Sequence, residues 1–152
     1  KMRIISLIAI IFIGCQISPK TVKEVISGDT VILNDGQKVH YAGLEAPGKE
    51  EENWYEYSKK ANEYLIKNKS VFLTEETNLS TNEIKEAFVY TPVIVGKETK
   101  YLLVNAEMAR YGLCKVIKIK AEVKNKNIWE SLWNLQEKEA KINKRGIWSK
   151  DR

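Results

Sequence analysis

Apolar positions divide the chain into short alternating runs near its start and longer periodic runs toward its end. TVKEVIS (21–27), TVILND (30–35) and QKVHYAGLEA (37–46) are rich in β-branched and aromatic residues, and Gly28-Asp29 and Asp35-Gly36 separate them. Such runs between breakers predict strands, and Asp-Gly between the last two predicts a tight antiparallel hairpin. In NWYEYSKKANEYLIKNK (53–69) the period changes: Trp54, Tyr57, Ala61, Tyr64 and Leu65 recur at helical spacing, which predicts a helix burying that stripe in the core. SVFLT (70–74) and AFVYTPVIV (87–95) predict two further strands, with Pro92 putting the second at an edge or a bulge. LLVNAEMARYG (102–112) predicts a second helix with Asn105 as N-cap and Gly112 as C-cap, and CKVIKIK (114–120) a short strand or extended segment. IWESLWNLQEKEAKINK (128–144) predicts a third helix with Trp129, Leu132, Trp133, Gln136 and Ala140 along one face. Gly146 then stops it, so that Ile147 and Trp148 fold back on the core.

Five strands, one helix between the third and fourth, and two trailing helices predict a mainly β, α+β architecture: a five-stranded OB-fold barrel carrying three helices. The apolar segments are evenly spread without repeats or low-complexity linkers, so residues 21–149 are expected to form one domain and to act as a monomer. KMRIISLIAIIFIGCQ precedes it, with cations at Lys1 and Arg3 and an apolar run from Ile4 to Ile13 broken only by Ser6. That run is too short to cross a bilayer and has the length of a secretory signal's apolar region. Phe12-Ile13-Gly14-Cys15 resembles a bacterial lipoprotein signal. The expectation is a signal over 1–14, a lipid on the Cys15 thiol, a tether over 15–20 and a place at the membrane of the cell envelope. An ordinary signal peptide and a secreted protein form the other reading. Cys114 lies in an apolar run and reads as core packing; no disulfide is expected, since its one possible partner would be acylated.

Charge alters the picture by its distribution more than by its sum. The chain has 25 Lys and Arg against 20 Asp and Glu, net +5, which hints at a polyanionic partner. Residues 15–96, however, hold 9 cations against 13 anions, whereas residues 97–152 hold 14 against 7. A polyanion would meet little long-range attraction in the acidic part. The best basic patch is KVIKIKAEVKNKN (115–127), read either as a solvated face or as a contact for nucleic acid or anionic lipid headgroups.

SGDTVIL (27–33), the strand ending in GLEAP (43–47), YSKKANEYL (57–65), VNAEMARYGLCKV (104–116) and RGIWS (145–149) occur together in one order. In that order and spacing, from Val22 to Ser149, the sequence resembles the thermonuclease family of staphylococcal-nuclease-like domains. The resemblance implies the OB-fold with three helices and a family activity: calcium-dependent hydrolysis of DNA and RNA phosphodiesters. It places calcium between the aspartate of the GDT motif, here Asp29, and that of a D-T-P turn, where Glu45 stands, with the carbonyl of Ala46 assisting. Glu45 carries the same charge one methylene further out, so the implied calcium site is a weakened one.

The catalytic positions implied by the resemblance are altered in kind. Where the family has its first arginine stands His40, which as a neutral imidazole offers one donor and no fixed charge. Where the family has a water-directing glutamate stands Gly48, with Glu50 two residues on as a substitute if the loop is remodelled. The second arginine position falls on Glu86, which inverts the charge; Lys85 would serve if the alignment slipped by one, on the opposite strand face. Each preorganised donor lost from a transition-state anion costs roughly 3 kcal/mol. Three readings stand: a tethered, catalytically impaired domain kept for binding nucleic acid or a partner; an active calcium-dependent nuclease with remodelled residues; and a structural envelope lipoprotein. Beside them stand plainer readings, His40 as a packed or surface residue and Glu50-Glu51-Glu52 as an acidic lead into the first helix.

Overall fold

The computed structural model describes residues 18–119 and 122–149. The signal and Cys15 expected above lie outside those residues, as do Lys120 and Ala121 of the basic segment.

The predicted segments appear in their predicted order within a set of eight strands and three helices: β1 Lys20–Ser27, β2 Thr30–Leu33, β3 Lys38–Tyr41, β4 Leu44–Glu45, α1 Glu52–Ile66, β5 Ser70–Glu75, β6 Ile84–Val95, β7 Glu98–Leu103, α2 Val104–Arg110, β8 Lys115–Val116 and α3 Lys126–Leu135. The predicted hairpin closes at Gly36, and β2 pairs antiparallel with β3, Val31 opposite Val39. β1, β2, β3, β6 and β5 form a closed five-stranded barrel, because β3 and β6 pair in parallel while β5 returns to β1. This is the expected OB-type barrel with three helices.

Val31, Leu33, Val39, Tyr41, Val71 and Phe88 are buried core residues, and Trp129 of α3 meets Phe88 edge-on at 6.4 Å. Period-2 alternation explains the strands well: Val39 and Tyr41 point inward and His40 between them points out. Pro92 lies in the stretch of β6 beyond its pairing with β5, where β7 alone flanks it, so no ladder bond is lost on the open side.

Three expectations fail locally. The predicted second helix begins at Val104, because Leu102 and Leu103 complete β7, a strand absent from the predicted set. Asn105 is therefore not a cap. It is fully buried, accepts a hydrogen bond from the Val89 amide at 2.8 Å, and donates to the Ala42 and Ala87 carbonyls at 3.0 and 3.3 Å. The third helix changes gauge at Gln136 and continues as a π-helical segment to Lys141, with Gln136 buried and accepting from the Val116 amide at 2.7 Å. Its end behaves as predicted: Gly146 takes a positive φ of 53°, and the Ile147 amide reaches the Gly112 carbonyl at 2.9 Å. A Cβ on Gly146 would strike that carbonyl, so only glycine permits this approach.

The third failure is the face of α1. The buried residues are Ser58, Asn62 and Ile66, while Tyr57 and Tyr64 are 60% and 84% exposed. Of the stripe expected in the core, Tyr57 and Tyr64 thus face solvent and Trp54 is half-buried, while Ala61 and Leu65 do pack against the core. Close approach of the β1–β2 turn puts the small Ser58 on the innermost face. Replacing Tyr64 with alanine is expected to change unfolding free energy by less than about 0.5 kcal/mol, as read by urea denaturation. A core tyrosine would cost several times more.

Candidate functional site

The turn between β1 and β2 sets the site. Gly28 passes so near α1 that a Cβ there would collide with the Ser58 hydroxyl, and this contact holds Asp29 at the head of β2. Asn62 fixes the same turn from the helix: its amide donates to the Ser27 carbonyl at 2.9 Å, and its oxygen accepts from the buried Tyr41 hydroxyl at 2.7 Å.

Asp29 is held by four donors. Oδ1 accepts from the Ser27 hydroxyl at 2.6 Å and the Thr30 hydroxyl at 2.8 Å. Oδ2 accepts from the Ala46 amide at 2.7 Å and lies 3.2 Å from His40 Nε2. The other ring nitrogen, Nδ1, lies 2.8 Å from Glu86 Oε2. Parallel pairing of β3 with β6 puts His40 directly beside Glu86 on one outward face. The result is a carboxylate–imidazole–carboxylate chain whose three side chains are 12%, 24% and 21% exposed.

Electrostatics follow from that arrangement. Burial alone would push the His40 imidazole down; its hydrogen bonds to Asp29 and Glu86 and their negative charges outweigh it and raise the group to about 9. Burial likewise tends to raise Asp29, but the hydrogen bonds from His40 and Ser27, the His40 charge and the Ala46 amide hold its carboxyl well below the usual carboxylate range. At neutral pH, His40 is a cation locked between two anions.

The residues singled out in the sequence divide into two sets. Asp29, His40 and Glu86 converge, with Ala46 contributing its amide rather than its carbonyl. Glu45 is exposed and sits opposite Lys115 in the β4–β8 pair, with no hydrogen bond to Asp29. Lys85 follows the other strand face, as predicted from alternation, and pairs with Glu75 at 2.9 Å. Glu51 occupies the N-cap of α1 without a side-chain capping bond. Glu50 turns back so that its carboxylate fills the space a side chain at Gly48 would take. Ser27 and Thr30, which flank Asp29 and clamp one of its oxygens, were missed, although the string SGDT holds both hydroxyls beside the carboxylate.

Calcium binding needs several oxygens with free lone pairs. A carboxylate offers about four acceptor positions, and Asp29 has four donors aimed at it. A protonated imidazole lies against Oδ2 at 3.2 Å. Among the described residues no group of three His, Cys, Asp or Glu side chains is arranged to hold a metal ion. The residues present do not fit calcium.

The arrangement can hold charge and orient hydrogen bonds, and the positions where the family has arginines carry His40 and Glu86. Among the described residues no Lys or Arg forms an ion pair with Asp29, Glu45 or Glu86. Arg110 and Arg145 are committed elsewhere, tying α2 and the chain's end to Glu107 and Glu139. No curated protein matches the sequence as a relative. A family profile does: that of the staphylococcal nuclease homologues covers residues 38–150, from β3 to the terminal turn, and this agrees with the closed barrel and its three helices. The chain belongs to the staphylococcal nuclease homologue family.

Proposed function

We infer that this chain is an exported, lipid-tethered nuclease-fold domain that no longer cleaves phosphodiesters by the calcium-dependent route general in its family. One observation carries the reading: His40 is bound between Asp29 and Glu86. Phosphodiester hydrolysis needs cationic donors for charge developing on phosphorus and an activated water. Here the His40 cation lies between two carboxylates, and Glu86 adds repulsion where the family places an arginine. Two donor losses at roughly 3 kcal/mol each would lower the rate by about four orders of magnitude, even before the missing glutamate at Gly48 is counted. The export and tether rest on Lys1, Arg3, the apolar run 4–13 and Gly14-Cys15.

A second reading has its own observation. Glu50 places a carboxylate over Gly48, where the family's water-directing glutamate belongs, which favours a residual nuclease. Denatured DNA incubated with calcium separates the two. The expected result is no cleavage above that of Asp29→Ala. Cleavage abolished by both Asp29→Ala and Glu50→Gln would make the protein an enzyme and overturn the first reading.

A further inference from the structure

The apolar run 4–13 and Cys15 would bring the chain to a membrane, and the fold determines which end of the domain arrives there. Ser18 and Lys20 line the barrel's mouth beside Asp35, Glu75 and Lys85, an opening of about 450 Å³. From Cys15 to Ser18 the chain spans at most about 10 Å, so a tethered domain must turn this end toward the bilayer. Glu76, directly after Glu75, accepts from the backbone amides of Lys124 and Asn125 at 2.6 and 3.0 Å. The segment leading into α3 is thereby fastened to the end of the domain from which the N-terminal sequence departs.

That segment is apolar as well as basic. Ile117 and Ile119 are 36% and 37% exposed, and with Trp129 and Trp133 they wall an open groove of about 430 Å³. Lys118 lies in the same lining, and Lys124 and Lys126 follow as exposed cations. Glu130 is the acidic member of the groove, and Lys126 stands 3.7 Å from it. Alkyl and indole groups between lysines suit the headgroup–acyl boundary: the apolar groups enter it while the ammonium groups stay with the phosphates. Of the two indoles, Trp129 offers no open face for base stacking, being 3% exposed with its N–H bound to the Ile117 carbonyl at 2.8 Å.

We propose that the Ile117–Ile119–Trp133 groove and its lysines dock on a bilayer carrying anionic lipid headgroups, as a second contact beside the N-terminal anchor. This rests on the tethered reading given above. The test uses the full chain with phosphatidylcholine vesicles, with and without phosphatidylglycerol, containing lipids brominated along their acyl chains. Flotation reports the anchor, and quenching of tryptophan emission reports the docked face. The expected result is quenching that needs phosphatidylglycerol, weakens at high salt, and is mostly lost in Trp133→Phe and in Lys118→Gln/Lys124→Gln. Flotation with quenching equal in wild type and Trp133→Phe would overturn this face and leave the anchor standing. Failure to float would overturn both. A shift of Trp133 emission with single-stranded oligonucleotide but not with anionic vesicles would assign the groove to nucleic acid and overturn the proposal.

Discussion

Replacing Glu76 with alanine is expected to destabilise the domain by about 3 kcal/mol and to lower its Tm by on the order of 10 °C. Glu76 is fully buried at the end of β5, where a carboxylate is rarely left unless paired. Its oxygens accept from the Lys124 amide at 2.6 Å, the Asn125 amide at 3.0 Å and the Asn125 side-chain amide at 3.0 Å. These donors stand at the head of α3, where amides lack helical partners and the dipole favours negative charge. Asn125 is the N-cap but makes no side-chain cap bond, so Glu76 replaces the local cap from across the fold. Alanine would leave three donors facing a void and release the helix that covers Phe88. Glutamine keeps the shape and one oxygen but turns an NH₂ toward a donor, so about half the loss is expected there. Thermal unfolding of the three proteins checks the order; equal Tm values would mean that water satisfies the donors as well as Glu76 does.

Glu76 also shows what a linear reading misses. Period-2 alternation was legible in β2 and β3, and it puts His40 and Glu86 on one outward face with Lys85 on the opposite face of β6. The motif SGDT marked Asp29. Convergence of Asp29, His40 and Glu86 was not legible from alternation, since it requires β3 and β6, 46 residues apart at His40 and Glu86, to pair in parallel. Buried polar residues were misread for the same reason. Asn105 has the local chemistry of a cap, but its partners Ala42, Ala87 and Val89 arrive from other strands. In α1 the hydrophobic pattern selected the aromatic stripe, whereas close approach of Gly28 requires a small residue at the contact, and Tyr57 and Tyr64 lie outside. Local pattern predicts which segments become elements; which face is inner depends on how near the neighbouring backbone comes.

Stability is expected to fall as pH rises from 6.5 to 9, by at most about 3 kcal/mol through His40. Its folded-state value is raised to about 9 from an ordinary 6.5, so the folded protein binds this proton more tightly than the unfolded chain. The resulting contribution is complete below pH 6.5 and is lost as pH climbs through the folded value. Asp29 acts with the opposite sign: its depressed carboxyl contributes above its ordinary 3.8, and that contribution fades as pH falls below it. Between roughly pH 4 and 6.5 both contributions are present. Burial raises the Cys114 thiol above its ordinary 9.0, so it too erodes stability, but only as pH approaches that value; the interval from 6.5 to 8.5 belongs to His40. Urea midpoints across this interval should therefore slope downward in the wild type and lie flat in His40→Gln. Glu86→Gln removes one of the two flanking charges, so its slope should be roughly half, its folded imidazole being held by Asp29 alone. A wild-type profile flat from pH 6.5 to 8.5 would mean that the imidazole is neutral between its carboxylates. The site would then lack the internal cation that takes a metal's place.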